Sequence, residues 1–333
     1  FVIGRLAQEY QASTTLKQLK YESIVPKILG ILAALSIKEE LGSKIGFNLA
    51  LLLPLNEYSN GEQIKRDISQ NCGNFTAINR DFNLRLQNYQ VFPEAGGMAM
   101  SFVQKQGLEK FQNSELAYLM FGFRNTSLLV FNRGTLSKRE SSTTSLGFYS
   151  MIDRVCSQLS GVSREQVQEC IRTIEQRQYN EKRTMRWSYE SSTDFQIESL
   201  IKSTDRMKAA EEKKEIASAI EIAKAEYWQL LKSWLDEVLE MNVQWEQIIY
   251  CGGASELIKS FLISYLHNRV INGKLKIRSS EIEEGQIKKV LKLNSYQEQE
   301  WEQQNLALRF ADVWGVFVHF TDYQFDSHPE QVA

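Results

Sequence analysis

Only four cysteines and three histidines occur in this 333-residue chain, and neither set carries the spacing of a ligand set. Cys72, Cys156, Cys170 and Cys251 are scattered without a CxxC pair, and His267, His319 and His328 lack the short intervals that put two imidazoles on one metal. Structural zinc and a disulfide framework are therefore not expected, no residue is assigned to a metal, and a reducing cytoplasm fits. An excess of one charge is also missing, because 39 basic side chains face 41 acidic ones for a formal net charge of −2. Nothing global would attract nucleic acid or an anionic membrane, so no direct nucleic-acid contact is expected. Long apolar runs are absent as well. The greasiest, Ile28 to Ile37, is closed by Lys27 and Lys38, well short of the roughly 18 to 20 residues of a membrane span.

What is present is an ordinary globular composition, 43% apolar and 24% charged, on a chain long enough for two domains. It begins at Phe1 in the strand-like Phe1-Val2-Ile3 with no basic leader, and the expectation is that further residues precede it. Tyr21 to Leu41 places Ile24, Ile28, Ile31, Leu32 and Leu35 on a helical face, and Phe47 to Leu55 follows as a buried strand ending around Pro54. Asn60-Gly61 punctuates the chain before a short helix over Glu62 to Ser69. Phe75 to Asn79 and Phe82 to Phe92 alternate like paired strands around Arg80-Asp81, and Pro93 is expected to open a helix reaching about Phe111.

The middle third reads as a strand meander over Leu116 to Phe121, Ser127 to Phe131 and Thr135 to Ser141, with Asn132-Arg133-Gly134 as a hairpin turn. Helices follow at Gly147 to Ser160 and Ser163 to Arg177, the second opened by Ser163 with Gln166 in the capping-box position. Between Asp194 and Glu240 the pattern Ile216, Ile220, Ala223, Tyr227, Leu230, Leu231, Trp234 predicts one long helix or two, packed through its apolar stripe. Gln247 to Tyr250 is a short strand running into Cys251-Gly252-Gly253-Ala254-Ser255, then a helix over Glu256 to Asn268. Asn305 to Phe320 is a last helix with Leu308, Ala311 and Phe317 on its apolar side, and the tail after Thr321 reads as unstructured.

Three segments have chemical potential, each beside a plain structural reading. Glycines at the strand-to-helix turn Ile248 to Ile258 let a ligand approach the backbone near a positive helix end, or simply satisfy a turn needing positive φ. Pro93-Glu94-Ala95-Gly96-Gly97 sets a carboxylate at a helix start, where a solvated first-turn Glu is equally at home. The turn within Leu119 to Leu128 is small and polar enough to hold phosphate oxygens, or is a β-turn and no more.

In order, these segments resemble the actin-like ATPase superfamily, nearest its plasmid-segregation (ParM/StbA-like) and archaeal actin-like branch. Val2-Ile3-Gly4-Arg5-Leu6-Ala7 is similar to the family's early G-x-x-A segment, Lys20-Tyr21-Glu22 to the start of its next helix, and Leu51-Leu52-Leu53-Pro54-Leu55 to its GLP strand end. Pro93 to Ala99 resembles the first connecting helix, Gly122 to Phe131 the second phosphate hairpin, Cys251-Gly252-Gly253-Ala254 the adenosine motif, and Arg309 to Gly315 the FAN-x-x-G helix. The resemblance covers most of the chain.

It implies a two-lobed α/β fold with mixed sheets flanked by helices. The first lobe would span residues 1–112 with 296–322 returning to it, and the second 113–295 with a helical insert near 162–225. It implies ATP or GTP with Mg²⁺ between the lobes: Gly252, Gly253 and Ala254 at the adenosine, Gly122, Arg124, Asn125 and Thr126 at the phosphates, and Glu94 orienting the attacking water. Self-association into filaments and a DNA-bound adaptor protein follow from the same resemblance. Two departures qualify it. The family's first phosphate hairpin, Asp-x-Gly, would precede Phe1, and the second opens here with Met120-Phe121-Gly122, where the family carries a carboxylate. A thioether does not serve Mg²⁺, which takes hard oxygen ligands, so slow hydrolysis with retained binding is expected. A non-hydrolysing actin-like scaffold is the alternative, and a sugar-kinase or chaperone-type relative is disfavoured by the short chain.

Overall fold

Apolar spacing explains the first elements of the computed structural model, which describes residues 20–171, 197–239, 245–269, 276–280, 297–298, 301 and 306–327. Helix α1 (Lys20–Lys38) buries Ile28, Leu29 and Ala33, and strand β1 (Lys44–Leu53) buries Phe47, Leu51 and Leu53. A 3-10 turn (Leu55–Asn60) leads into α2 (Gly61–Asn71), whose Ile64 and Ile68 sit four apart on one helix face and are both buried. Strands β2 (Phe75–Ala77) and β3 (Arg80–Pro93) complete a three-stranded sheet of order β1-β3-β2, parallel between β1 and β3 and antiparallel between β2 and β3. The β2–β3 turn pivots on Ile78 and Asn79, at φ 51° and 56°, which is the double positive-φ geometry that suits strand twist. It thus falls before Arg80-Asp81.

Pro93 ends a strand and does not open a helix. It stands opposite Leu53 at the end of the β1–β3 ladder, Ala95 follows at φ 76°, and α3 begins only at Gly96 (Gly96–Gln106). Gly107 at φ 86° breaks the continuation, leaving α4 (Leu108–Gln112) as a separate short turn.

The larger sheet has the order β6-β5-β4-β8-β9, with β7 paired to β5. Its strands are β4 (Glu115–Phe121), β5 (Thr126–Asn132), β6 (Thr135–Leu136), β7 (Ser142–Thr144), β8 (Gln247–Cys251) and β9 (Lys276–Ser279). Pairing is antiparallel from β4 to β5 and parallel from β4 to β8 to β9. Arg133 and Gly134, at φ 51° and 77°, make the β5–β6 turn where the sequence placed it, but the expected strand Thr135 to Ser141 stops at Leu136. The Ser141 hydroxyl donates to the Ser137 carbonyl at 2.7 Å and accepts the Val130 N–H at 3.0 Å, so side chain replaces backbone in the ladder there.

Helices α5 (Phe148–Gln158), α6 (164–171), α7 (Arg206–Leu239) and α8 (Ser255–Arg269) join that sheet, with many of their apolar residues in one core. Ser163 and Gln166 form the reciprocal cap: the Ser163 N–H reaches Gln166 Oε1 at 3.0 Å, and the Gln166 N–H reaches Ser163 Oγ at 3.2 Å. Helix α7 is one continuous helix burying Ile216, Ile220, Ala223 and Tyr227, but Leu230 is 37% exposed while Leu231 and Leu235 are buried. The stripe steps by four from Tyr227, which moves it past position 230.

The last described elements are α9 (Leu306–Arg309) and α10 (Ala311–Ser327). Leu308 and Ala311 are buried as expected, but Phe317 is 44% exposed and Val316 and Phe320 are buried instead, and the helix runs on past Thr321. Within this one helix Val316 and Phe320, four apart, share the buried face, and Phe317 lies off it.

The chain divides into two compact units, Phe1–Gly96 with Val316–Ala333, and Gly97–Gly315. Within the second, α3 and α10 touch so closely at Gly97 and Gly315 that a Cβ on either would overlap the other helix's backbone. Asp312, fully buried, accepts the Met98 N–H there at 3.2 Å. The segments Phe1–Ile3 and Val2–Ala7, and the stretch 172–196, fall outside the described residues.

Candidate functional site

Strands β4 and β8 are parallel neighbours with Met120 opposite Cys251, so their C-terminal ends leave the sheet side by side. From β4 the chain enters the turn Gly122 to Asn125, and from β8 it enters Gly252 to Ala254 before α8. Two segments far apart in sequence therefore meet. The Ala254 N–H donates to the Phe121 carbonyl at 3.2 Å, and Gly252 lies so close to Phe121 that a Cβ would strike its backbone. Gly252 is also at φ 98°, a conformation that glycine alone adopts without strain.

The glycine turn is tied down on its other sides. Gly252 donates its N–H to the Leu308 carbonyl at 3.2 Å, and its own carbonyl accepts from the Ser255 hydroxyl at 2.7 Å and the Ser255 N–H at 3.1 Å. The hairpin turn is equally engaged. Gly122 N–H donates to Asn125 O at 2.9 Å, and the Thr126 hydroxyl, fully buried, donates to Leu146 O at 2.6 Å. The carbonyls of Gly122 and Phe123 accept the first N–H groups of α5, from Phe148 at 3.1 Å and Tyr149 at 2.9 Å. The hairpin thus caps a helix N-terminus whose donors would otherwise lack partners.

These hydrogen bonds decide what the turns can offer. The N–H groups of Gly122, Gly252 and Ala254 point into the protein, and Ala254 and Thr126 are buried. Gly122, Arg124, Asn125 and Gly253 are the partly exposed members of the predicted set. Contact with a ligand would run through Cα surfaces and side chains more than through a nest of backbone donors. Glu94 belongs to the first unit, at the end of β3; it is buried, and its N–H donates to Leu53 O at 2.8 Å.

Two residues join the site that sequence reasoning did not single out. Arg309 lies against Gly253, with Nε 3.1 Å and Cζ 3.6 Å from the position of a Gly253 Cβ. Gly147 lies against the backbone of Phe123 and Arg124 and begins α5. Arg309 stands at the start of the segment Arg309 to Gly315, which the sequence matched to the FAN-x-x-G helix without giving Arg309 a role at the site. Phe123 at the tip is exposed and packs edge-on against Phe148 and Tyr149 at 6.2 and 5.9 Å. Burial, then the nearby Asp153 carboxylate, raises the Tyr149 phenol, with Arg164 opposing.

A magnesium ion does not suit this donor set. The stretch Leu119 to Leu128 holds no carboxylate, and the Met120 methyl stays by the turn, 3.9 Å from where a Gly122 Cβ would be. Thioether sulfur is a soft, weak donor, whereas Mg²⁺ is hard and demands oxygen. Among the described residues no group of three or more His, Cys, Asp or Glu side chains is placed to hold a metal. Arg124 lies in the hairpin turn and Arg309 against Gly253, and guanidinium is a group that pairs with phosphate oxygens.

This chain is therefore a mixed α/β protein with mixed sheets flanked by helices, and its candidate site lies at the carboxyl ends of adjacent parallel strands, where open α/β sheets hold ligands. No protein-family model and no curated protein matches the sequence. Among solved structures the chain is similar in fold to actin-like proteins. Bacillus thuringiensis ParM with AMPPNP shares 12% identity over 96% of this chain and 76% of that one, at a TM-score of 0.48. The archaeal actin homolog Ta0583 in complex with ADP shares 14% over 74% and 70%, at 0.45, and an Alp12 filament structure 15% over 86% and 74%, at 0.42. Among the described residues no helix is long and apolar enough to cross a membrane.

Proposed function

We propose that this chain is an actin-like protein that binds an adenine or guanine nucleotide at the paired turns and associates with itself into filaments. The observation that carries the reading is the meeting of Phe121-Gly122 with Gly252-Gly253-Ala254, held by the Ala254 N–H to Phe121 carbonyl bond. Two motifs read separately from the sequence as phosphate and adenosine contacts are thereby neighbours. Gly253 and Arg309 would face the nucleoside, and Arg124 and Asn125 the phosphates. A cytoplasmic role in plasmid segregation, through a DNA-bound adaptor, belongs to the same reading.

With Met120 at the hairpin opening, turnover is slow and binding persists. The scaffold reading keeps one specific support, which is that the N–H groups of Gly122, Gly252 and Ala254 are already donated within the protein. The test is equilibrium titration of the chain with ATP and GTP, paired with sedimentation and electron microscopy at each nucleotide state. Saturable binding with nucleotide-dependent filaments supports the proposal, whereas filaments indifferent to nucleotide, with no binding, support the scaffold.

A further inference from the structure

We propose that Arg164, at the start of α6, is a positioning residue for the turn between β4 and β5: through the ring of Tyr149 it holds Phe123, and so fixes how Arg124 and Asn125 leave the backbone. This role rests on the reading of the paired turns as a nucleotide site, and adds to it a helix far from the turn in sequence.

The tip of the turn cannot move without α5. Gly122 N–H closes on Asn125 O at 2.9 Å, and the carbonyls of Gly122 and Phe123 accept the N–H groups of Phe148 and Tyr149 at 3.1 and 2.9 Å. The Phe123 ring follows its backbone, meeting Phe148 and Tyr149 edge-on with centroids 6.2 and 5.9 Å away. Tyr149 is in turn held from another side. The Arg164 guanidinium lies over its ring, 5.6 Å from the centroid, while Arg164 Nε pairs with Asp153 Oδ1. Asp153 stands one turn along α5 from Tyr149, so both meet Arg164 from one helix face. Arg164 itself is fixed where the reciprocal Ser163 and Gln166 bonds begin α6.

Guanidinium suits this post because its plane can lie on an aromatic ring while its edge N–H groups pair with a carboxylate. Arg164 also opposes the upward push that burial, and then Asp153, exert on the Tyr149 phenol. A surface ion pair joining α5 to α6 would be the plainer role. The Arg164 and Asp153 side chains are 52% and 40% exposed, and pairs so exposed add little to stability. The two roles part on ligand affinity: an ion pair alone leaves it unchanged, whereas a support for Phe123 does not.

The experiment is isothermal titration of ATP into the full chain at fixed Mg²⁺, with thermal melting of every variant. Arg164→Gln is expected to weaken ATP binding by about two- to fivefold, the worth of an exposed cation–π contact, while melting shifts by less than about 2 °C. In a Tyr149→Leu background the same substitution should change affinity by less than about 1.5-fold, because the link it acts through is gone. Should Tyr149→Leu melt early, Phe123→Leu serves as the background with the same expectation. Native-like affinity in Arg164→Gln overturns the inference and leaves the nucleotide reading standing. So does an equal loss with and without the Tyr149 ring, which would mean that the Arg164 charge attracts ATP directly. Absence of ATP binding by the native chain overturns the nucleotide reading and this inference with it.

Discussion

The two turns that meet at the candidate site both contain glycine, yet they ask different things of it. In the turn after β8, Gly252 is fixed twice, by a left-handed φ of 98° and by the Phe121 backbone against its Cα, while the atoms nearest a Cβ on its neighbour Gly253 belong to the side chain of Arg309. In the β4–β5 turn, Gly122 has no positive φ, and the hairpin's shape is held instead by Thr126 and by the N-terminus of α5. One turn is built by backbone conformation and the other by hydrogen bonds from its surroundings. The difference separates glycines that the fold requires from Gly253, whose place in the proposed site rests on its position beside them.

Gly252→Ala is expected to have the largest effect. It combines left-handed strain with a backbone overlap that no rotamer relieves, for a loss of about 2 to 4 kcal/mol in urea denaturation. A loss under about 1 kcal/mol would mean that the turn relaxes and that its conformation is not what joins β8 to Phe121. Thr126→Val tests the other turn: it keeps the shape and deletes the 2.6 Å bond to Leu146 O, which retains only the longer bond from the Tyr227 hydroxyl at 3.3 Å, for about 1 kcal/mol. An unchanged urea midpoint would assign the hairpin's order to α5 alone. Gly253→Ala is expected to do least to stability, under about 1 kcal/mol, because the approaching Arg309 side chain can give way. It should nonetheless weaken ATP affinity several-fold, and a variant that binds as the native chain does would remove Gly253 from the site.

Much of the architecture was legible because burial writes itself into spacing. Ile64 and Ile68 four apart, the apolar run of β1, and Ser163 with Gln166 each fix a local structure that the surroundings do not override. The misreadings have different causes: Leu230 and Phe317 lie inside continuous helices one position off the buried face, whereas Pro93 ends a strand through a pairing made elsewhere in the chain. Pro93 pairs with Leu53, and no property of Pro93-Glu94 announces that partner. At the site, sequence order brought Gly122 and Gly252 to notice, but not that their N–H groups are donated to Asn125 and Leu308. Arg309 was read only as part of the FAN-x-x-G segment for the same reason: its neighbour Gly253 is reached only through the fold.

The central claim, that the paired turns hold nucleotide while Met120 withholds the metal-organising group, is tested most directly by one paired assay. Native protein and Met120→Asp, as full chains, are measured for ATP affinity and phosphate release at identical Mg²⁺ and nucleotide saturation. Each tenfold in rate corresponds to about 1.4 kcal/mol of transition-state stabilisation. The account predicts slow release by the native chain and a rise of at least about tenfold in Met120→Asp, with a smaller change in affinity. Brisk native turnover that Met120→Asp leaves unchanged or lowers would contradict it.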